Sequence, residues 1–592
     1  MSFGVFAVPL LILLCFGPVW SGTLAGQNVP RVCIEDGCMR GSWMRSVGGE
    51  RFEAFFGIPF AKPPIGELRF ANPVPNDRWA EAELDATGRF QKPPCLQQNL
   101  FLPGRGIEGK EDCLYLNVYR QAKKNQATNN ATAAPKFPTV VYIHGGGYFA
   151  GYNSPLVAGA EKLMDHPVIL VTITYRLGAF GFLSTGDEAA SGNFGLKDQR
   201  LALRWVHRNI RAFGGDPRLV TIMGHSAGGA SVQLQMMHLG NEGLFQRAIS
   251  LSGSALAPWS TPLTNPDRLA RQQATLVGIE NAETMSNEEL VKALRTVNAD
   301  VLVSSSASFT NGSHYPMIVY GPTVEKPTFE DAFLTATPQA LWSQGAHLPV
   351  PWLTGIVPND GFVFSAPILK ESACSKETFI KQQTLLLNVL RGTHNPSALT
   401  LLKKRFFGNA TSDGKCFTNE NVDILTKMFN EAFFAFPLVH SVQQHLQHKV
   451  ETSTSRSPIY LYKFNYQGEH SYSTFFATND DDTSSRDFGI VHCDELIYIF
   501  RAPILFPDFQ RDSPDAQASQ RFTKLLVDFA RTGIMNTERE SADSENDPSR
   551  HDDFPTALEL FNKDNGNAHL GLRHTHIYDK EMLNFWMRFY SV

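Results

Sequence analysis

Apolar residues recur along this chain in short unbroken runs: Thr139–Ile143, Val168–Thr174, Leu219–Met223, Ala248–Leu251 and Pro351–Thr354. A strand with one wet face alternates apolar and polar residues, whereas continuous apolar character predicts a strand covered on both sides, as in a mainly parallel sheet. Between two of these runs, Leu196, Leu203, Val206 and Ile210 fall near helical spacing, predicting a helix over Leu196–Ile210. Strand, helix, strand in repetition is the α/β pattern, with a large central sheet and helices on both faces. Two polar stretches, Lys123–Lys136 and Asn536–Pro555, read as surface insertions, and no internal repeat divides the chain. One large domain over residues 23–592 is expected.

The ends place that domain in a compartment. Residues 3–16 are apolar, no charged residue precedes Arg31, and Pro18 and Ser21-Gly22 close the run. A spanning helix needs about 20 apolar residues, so residues 1–22 read as a cleavable secretory signal, and the mature chain is expected outside the cell with no membrane span. Secretion permits disulfides. Cys33 and Cys38 flank a hairpin turn, Cys95 and Cys113 could close a short loop, Cys374 and Cys416 are a third possible pair, and Cys493 is left over. Three glycosylation triplets begin at Asn130, Asn311 and Asn409. With 53 basic against 58 acidic residues the net charge is −5, which excludes a general nucleic-acid binder. No Cys or His cluster has zinc-site spacing, so neither metal nor other cofactor is expected. Oligomeric state is not legible.

The candidate chemistry begins after the run ending at Met223. Gly224-His225-Ser226-Ala227-Gly228 is followed by helix-compatible Ser231–Met237. G-x-S-x-G between a strand and a helix is the nucleophile elbow, a turn so tight that its flanks call for glycine. His144-Gly145-Gly146-Gly147 follows the run ending at Ile143 and suits a loop whose amides receive an oxyanion. Its expected donors are the N–H groups of Gly146, Gly147 and Ala227. Among 17 histidines, His492 stands out in a glycine-led loop late in the chain, and Asp360 lies just past the run at Pro351–Thr354. The order serine, acid, histidine is the one this architecture uses. Pocket walls are expected from Phe149–Tyr152, Leu256–Trp259 and Phe362–Phe364.

Further motifs extend the pattern: Phe56-Gly-Ile-Pro-Phe-Ala-Lys-Pro-Pro-Ile-Gly-Glu-Leu-Arg-Phe70, Glu111-Asp-Cys-Leu-Tyr-Leu-Asn117, Asn193-Phe-Gly-Leu-Lys-Asp-Gln199 and Gly489-Ile-Val-His492. With the elbow and the glycine loop, they make the chain resemble the carboxylesterase/cholinesterase family over essentially its whole mature length, above all the secreted insect β-esterases and juvenile hormone esterases. The resemblance implies an α/β-hydrolase fold, a Ser226–His492–Asp360 triad, a Cys95–Cys113 disulfide and a structural Arg69–Glu111 ion pair. Asp360 departs from the glutamate found in most of the family. Cholinesterases carry Glu before the nucleophile, where this chain has His225, and a tryptophan in the loop that here is Leu96–Lys110 and has none. Without those groups a quaternary ammonium loses its cation–π and Coulomb partners. The expected partner is therefore a small, uncharged, largely apolar ester, cleaved through an acyl-enzyme. Two alternatives stand beside this reading: an esterase specialised for one hormone or pheromone, and a catalytically inactive esterase-like adhesion or binding protein.

Overall fold

The structure is a computed structural model that describes residues 29–79, 83–99, 106–122, 136–261, 265–310, 318–367, 390, 396–407, 422–452, 457–477, 486–535, 556–562, 570–577 and 579–591. The apolar leader, the triplets at Asn130, Asn311 and Asn409, Cys374, Cys416, and nearly all of the two polar insertions lie outside these residues.

Eleven strands form one sheet: β1 (Ser42–Arg45), β2 (Arg51–Pro59), β3 (Tyr115–Gln121), β4 (Phe137–Ile143), β5 (Ile169–Ile173), β6 (Gly215–His225), β7 (Arg247–Leu251), β8 (Trp352–Ile356), β9 (Ile459–Asn465), β10 (Ala557–Asn562) and β11 (Leu570–Thr575). Their spatial order is β11-β10-β9-β8-β7-β6-β4-β5-β3-β2-β1. The seven strands from β10 to β5 run parallel, and antiparallel strands finish both edges. All five predicted runs fall on strands of this parallel block, with Val168–Thr174 trimmed to Ile169–Ile173 and the ends of the others shifted by a few residues. Their continuous apolar character has the expected cause: Val141, Ile143 and Val171 enter the core on one face, while Val140, Tyr142 and Leu170 enter the core on the other. The helix predicted over Leu196–Ile210 runs from Phe194 to Asn209 (α1), with a 3₁₀ turn taking up Ile210. The helix read from Ser231 begins four residues earlier, as α2 (Ala227–Met237), because the elbow turns straight into it.

Strands β4 and β6 are neighbours, yet the chain passes through β5, on the far side of β4, between them. Strand order therefore reverses at β4, and open α/β sheets bind ligands outside the carboxyl ends at such a reversal. Both His144 and Ser226 lie there.

The region before the parallel block is cross-linked. Cys33 and Cys38 pair across a two-stranded hairpin, and Cys95 is bonded to Cys113. Arg69, mostly buried, holds Glu111 through two contacts of 2.7 and 2.6 Å. Its remaining nitrogen donates to the carbonyls of Leu294, Arg295 and Val297, at the end of the helix Asn287–Thr296. One guanidinium thus neutralises a carboxylate and caps a helix distant in sequence. Removing one partner of such a pair strands the other charge, so Glu111→Ala should cost about 3–5 kcal/mol in urea unfolding with disulfides intact. A loss below about 1 kcal/mol, the scale of a surface pair, would contradict this account.

Candidate active site

The groups singled out from sequence gather at the carboxyl ends of β4, β6 and β8, with His492 supplied by a later loop. Ser226 follows β6 directly, with φ 56° and ψ −123°, a conformation rare for a residue with a side chain. Packing imposes it. A Cβ on Gly224 would come within 2.2 Å of the Gly228 carbonyl oxygen, and one on Gly228 within 2.1 Å of the Ile143 oxygen. The Ser226 amide donates to Leu251 O, and its carbonyl accepts from Ala230 N–H inside α2. Ala227, the first residue of that helix, carries an amide with no acceptor in its own helix. The glycine loop lies against this turn: a Cβ on Gly145 would stand 3.0 Å from Ser226 Cβ. Gly146, at φ 109°, turns its carbonyl back to accept from Phe149 and Ala150.

Asp360 lies four residues beyond β8 and is wholly buried. Its Oδ2 accepts from Val357 N–H at 3.0 Å and from the Ser252 hydroxyl at 2.9 Å, and its Oδ1 is 2.6 Å from His492 Nδ1. The loop carrying His492 is tied down beside it. Asn359 N–H donates to Ile490 O, and the Asn359 side chain donates to Phe488 O. Just after His492, Asp494 accepts from Val491 N–H, Tyr472 N–H and the Ser471 hydroxyl. Burial pulls His492 below the ordinary imidazole range, keeping its ring neutral, and the same burial raises the Asp360 carboxyl against the two donors that favour its charge.

Ser226 and His492 line one cavity of ≈ 1010 Å³ counted out to its open mouth. Its apolar walls include Tyr142, Val363, Phe475, Phe476, Leu496 and Phe500, and no carboxylate is among its described lining residues. Of the expected walls, Ala150, Gly151, Tyr152 and Val363 face it. The expectation for Leu256–Trp259 is corrected: these residues do not line the cavity, and Trp259 instead packs on Phe434, whose ring lies 5.0 Å from that of His492. Phe149 lines a second cavity, with Leu96, Phe180 and Tyr320.

Residues 28–586 match the Carboxylesterase family. The chain belongs to the carboxylesterase family. The esterase is 36% identical to juvenile hormone esterase of Tribolium castaneum over 85% of its own length and 83% of that protein's. It is 32% identical to Esterase E4 of Myzus persicae, over 87% and 88%. A crystal structure of juvenile hormone esterase from Manduca sexta with OTFP covalently attached superposes with a TM-score of 0.76, covering 95% of this chain and 100% of that one at 24% identity. The fold is thus the α/β-hydrolase fold, and this carboxylesterase is a carboxylic ester hydrolase.

Three residues of the esterase's site escaped the sequence reading. Ser252, directly after β7, shares its hydroxyl between Asp360 and Glu495 Oε1, the latter at 3.2 Å. Glu495 is wholly buried, and burial followed by the Asp360 charge raises its carboxyl well above the usual range. His225 lies between Ser226 and this carboxylate, its ring 4.5 Å from that of His492. For Ser252 a signal was present, a polar residue at the carboxyl end of a parallel strand; Glu495, next to Asp494, opens the apolar segment that ends at Phe500.

His144 offers a test of the electrostatics. Stacked on Tyr175 and fully enclosed, it is lowered by burial to about 4, partly offset by its contact with Gly145 O. A folded value below the unfolded value of about 6.5 means that stability is complete above 6.5 and is lost as pH falls towards 4. The loss attributable to this ring is about 3 kcal/mol. Stability measured at pH 7 and pH 4 should therefore fall about 3 kcal/mol less in His144→Asn than in wild type, and an equal fall would refute the assignment.

Proposed function

We propose that this carboxylesterase is a secreted, single-domain serine esterase that cleaves uncharged, largely apolar esters in two acyl-transfer steps. The observation that carries the reading is the shared cavity: Ser226 and His492 line it, Asp360 backs the imidazole, and the other walls are apolar. His492 Nε2 takes the proton of Ser226 Oγ as the oxygen attacks the ester carbonyl carbon. The N–H groups of Gly146, Gly147 and Ala227 receive the charge that develops on the carbonyl oxygen. Collapse breaks the ester bond, and the alcohol leaves with the proton from His492. Water then attacks the acyl-enzyme through the same imidazole, freeing the acid and Ser226.

Among the described lining residues no carboxylate is present to pair with an organic ammonium group, which supports uncharged substrates. Secretion is supported by the apolar leader and by two disulfides, which persist in oxidising compartments. A continuous sheet with cores on both faces supports reading residues 23–592 as one domain. A second reading, a hydrolase specialised for juvenile hormone, is favoured by the similarity to the Tribolium castaneum enzyme of that name.

An organophosphate should label wild type stoichiometrically at Ser226. Ser226→Ala should lose labelling and about 10⁶-fold in kcat, as removal of a triad serine does elsewhere. Asp360→Asn should stay folded and lose about 10⁴-fold, because the amide favours the wrong imidazole tautomer. Full turnover by Ser226→Ala would overturn the proposal. Comparing kcat/KM for short aryl esters, long-chain esters and juvenile hormone separates the two readings.

A further inference from the structure

His225 ends β6, while His492 and Cys493 stand on a loop more than 260 residues later, so no sequence spacing brings them together. In the fold all three line the active-site cavity, and one ligand atom from each lies within 4.8 Å of the others. Each ring also has a buried carboxyl group nearby. His492 turns Nδ1 to Asp360 at 2.6 Å, which leaves Nε2 as its lone-pair atom. His225 Nε2 stands 3.5 Å from Glu495 Oε1 without a hydrogen bond between them. Nδ1 of His225 faces Cys493, whose Sγ lies 3.9 Å away. Two imidazoles stand beside a sulfur, and one of them is held from behind by a buried carboxyl group, the backing that metal-binding histidines use.

The acyl-transfer steps make no use of His225 or Cys493. Cys493 is nevertheless held at φ 78°. Two imidazoles and a thiolate suit a borderline-soft divalent ion, zinc above all. Zinc takes nitrogen at about 2.0–2.1 Å and sulfur at about 2.3 Å, which places tetrahedral donors about 3.4–3.7 Å apart. The Cys493–His225 pair is close to that separation already, and side-chain rotation of about an ångström brings in the widest pair.

We propose that His225, His492 and Cys493 form an inhibitory site for zinc or another thiophilic divalent cation. On binding, the Cys493 thiol releases its proton to solvent, and the sulfur and two nitrogen lone pairs bond the ion, with water completing the tetrahedron. With its Nε2 lone pair engaged, His492 can no longer accept the proton of Ser226. The loss of activity rests on the serine-esterase reading; the binding itself does not.

Two measurements test it. Hydrolysis of an apolar aryl ester is titrated with Zn²⁺ in wild type, Cys493→Ala and Cys493→Ser, each normalised to its own metal-free rate and checked for reversal by EDTA. Disturbing a residue behind a metal ligand already costs about 10–100-fold in affinity, so loss of the thiolate should raise the half-inhibiting zinc concentration by at least about 100-fold. Separately, Co²⁺ added to Ser226→Ala should give a thiolate-to-cobalt charge-transfer band that is missing when Cys493→Ser is added to that background. Zinc that does not inhibit wild type, inhibits the Cys493 variants equally, or a missing cobalt band would overturn the proposal. If Ser226→Ala kept full turnover, the esterase mechanism would fall, while the cobalt band would still decide the metal site.

Discussion

A carboxylate removed from water must be met by donors, and at Asp360 that requirement organises the molecule. An unpaired buried charge is costly enough to shift its protonation or open the structure. Here the donors come from three places: the Val357 amide on the same turn, the Ser252 hydroxyl at the end of the neighbouring strand, and His492 from a loop more than a hundred residues further on. Satisfying one group therefore fixes the relative positions of β7, β8 and the histidine loop. The Asn359 side chain donating to Phe488 O and its backbone N–H donating to Ile490 O reinforce the same juxtaposition. Folding and chemistry share this interaction, since the imidazole is aimed by whatever keeps the carboxyl group satisfied.

The parallel block was legible because both of its faces are covered, so its strands advertise themselves as unbroken apolar runs. The strands outside that block were harder: Arg51–Pro59 and Leu570–Thr575 mix charged and apolar residues and carry no such mark. At the site, the elbow and the glycine loop were readable because each is contiguous, with its geometry forced by adjacent small residues. His492 and Asp360 needed chain order and family resemblance as well, for a histidine in a loop and an Asn-Asp-Gly turn say little alone. Glu495 and the approach of His225 to Cys493 could not be read, because these groups become neighbours only once separate segments are laid side by side. An argument from Cys and His spacing sees only ligands close in sequence.

The cavity shows how a general fold acquires preference. Beside Ser226 and His492 its wall is largely aromatic and aliphatic side chains drawn from several loops. Recognition by such walls follows shape and apolar area, and small changes of side-chain volume alter preference only modestly. The difference between relatives named for one hormone and relatives named simply as esterases would then lie in those loops rather than in the strand ends.

The backbone at Ser226 is held in its unusual conformation by what surrounds it, chiefly the contact of the Gly228 backbone with the end of β4. A turn kept in place by its neighbours relaxes as soon as they loosen. On warming, this enzyme should fall silent while its sheet is still intact, and the earliest casualty of heat should be the angle of one side chain rather than the architecture that presents it.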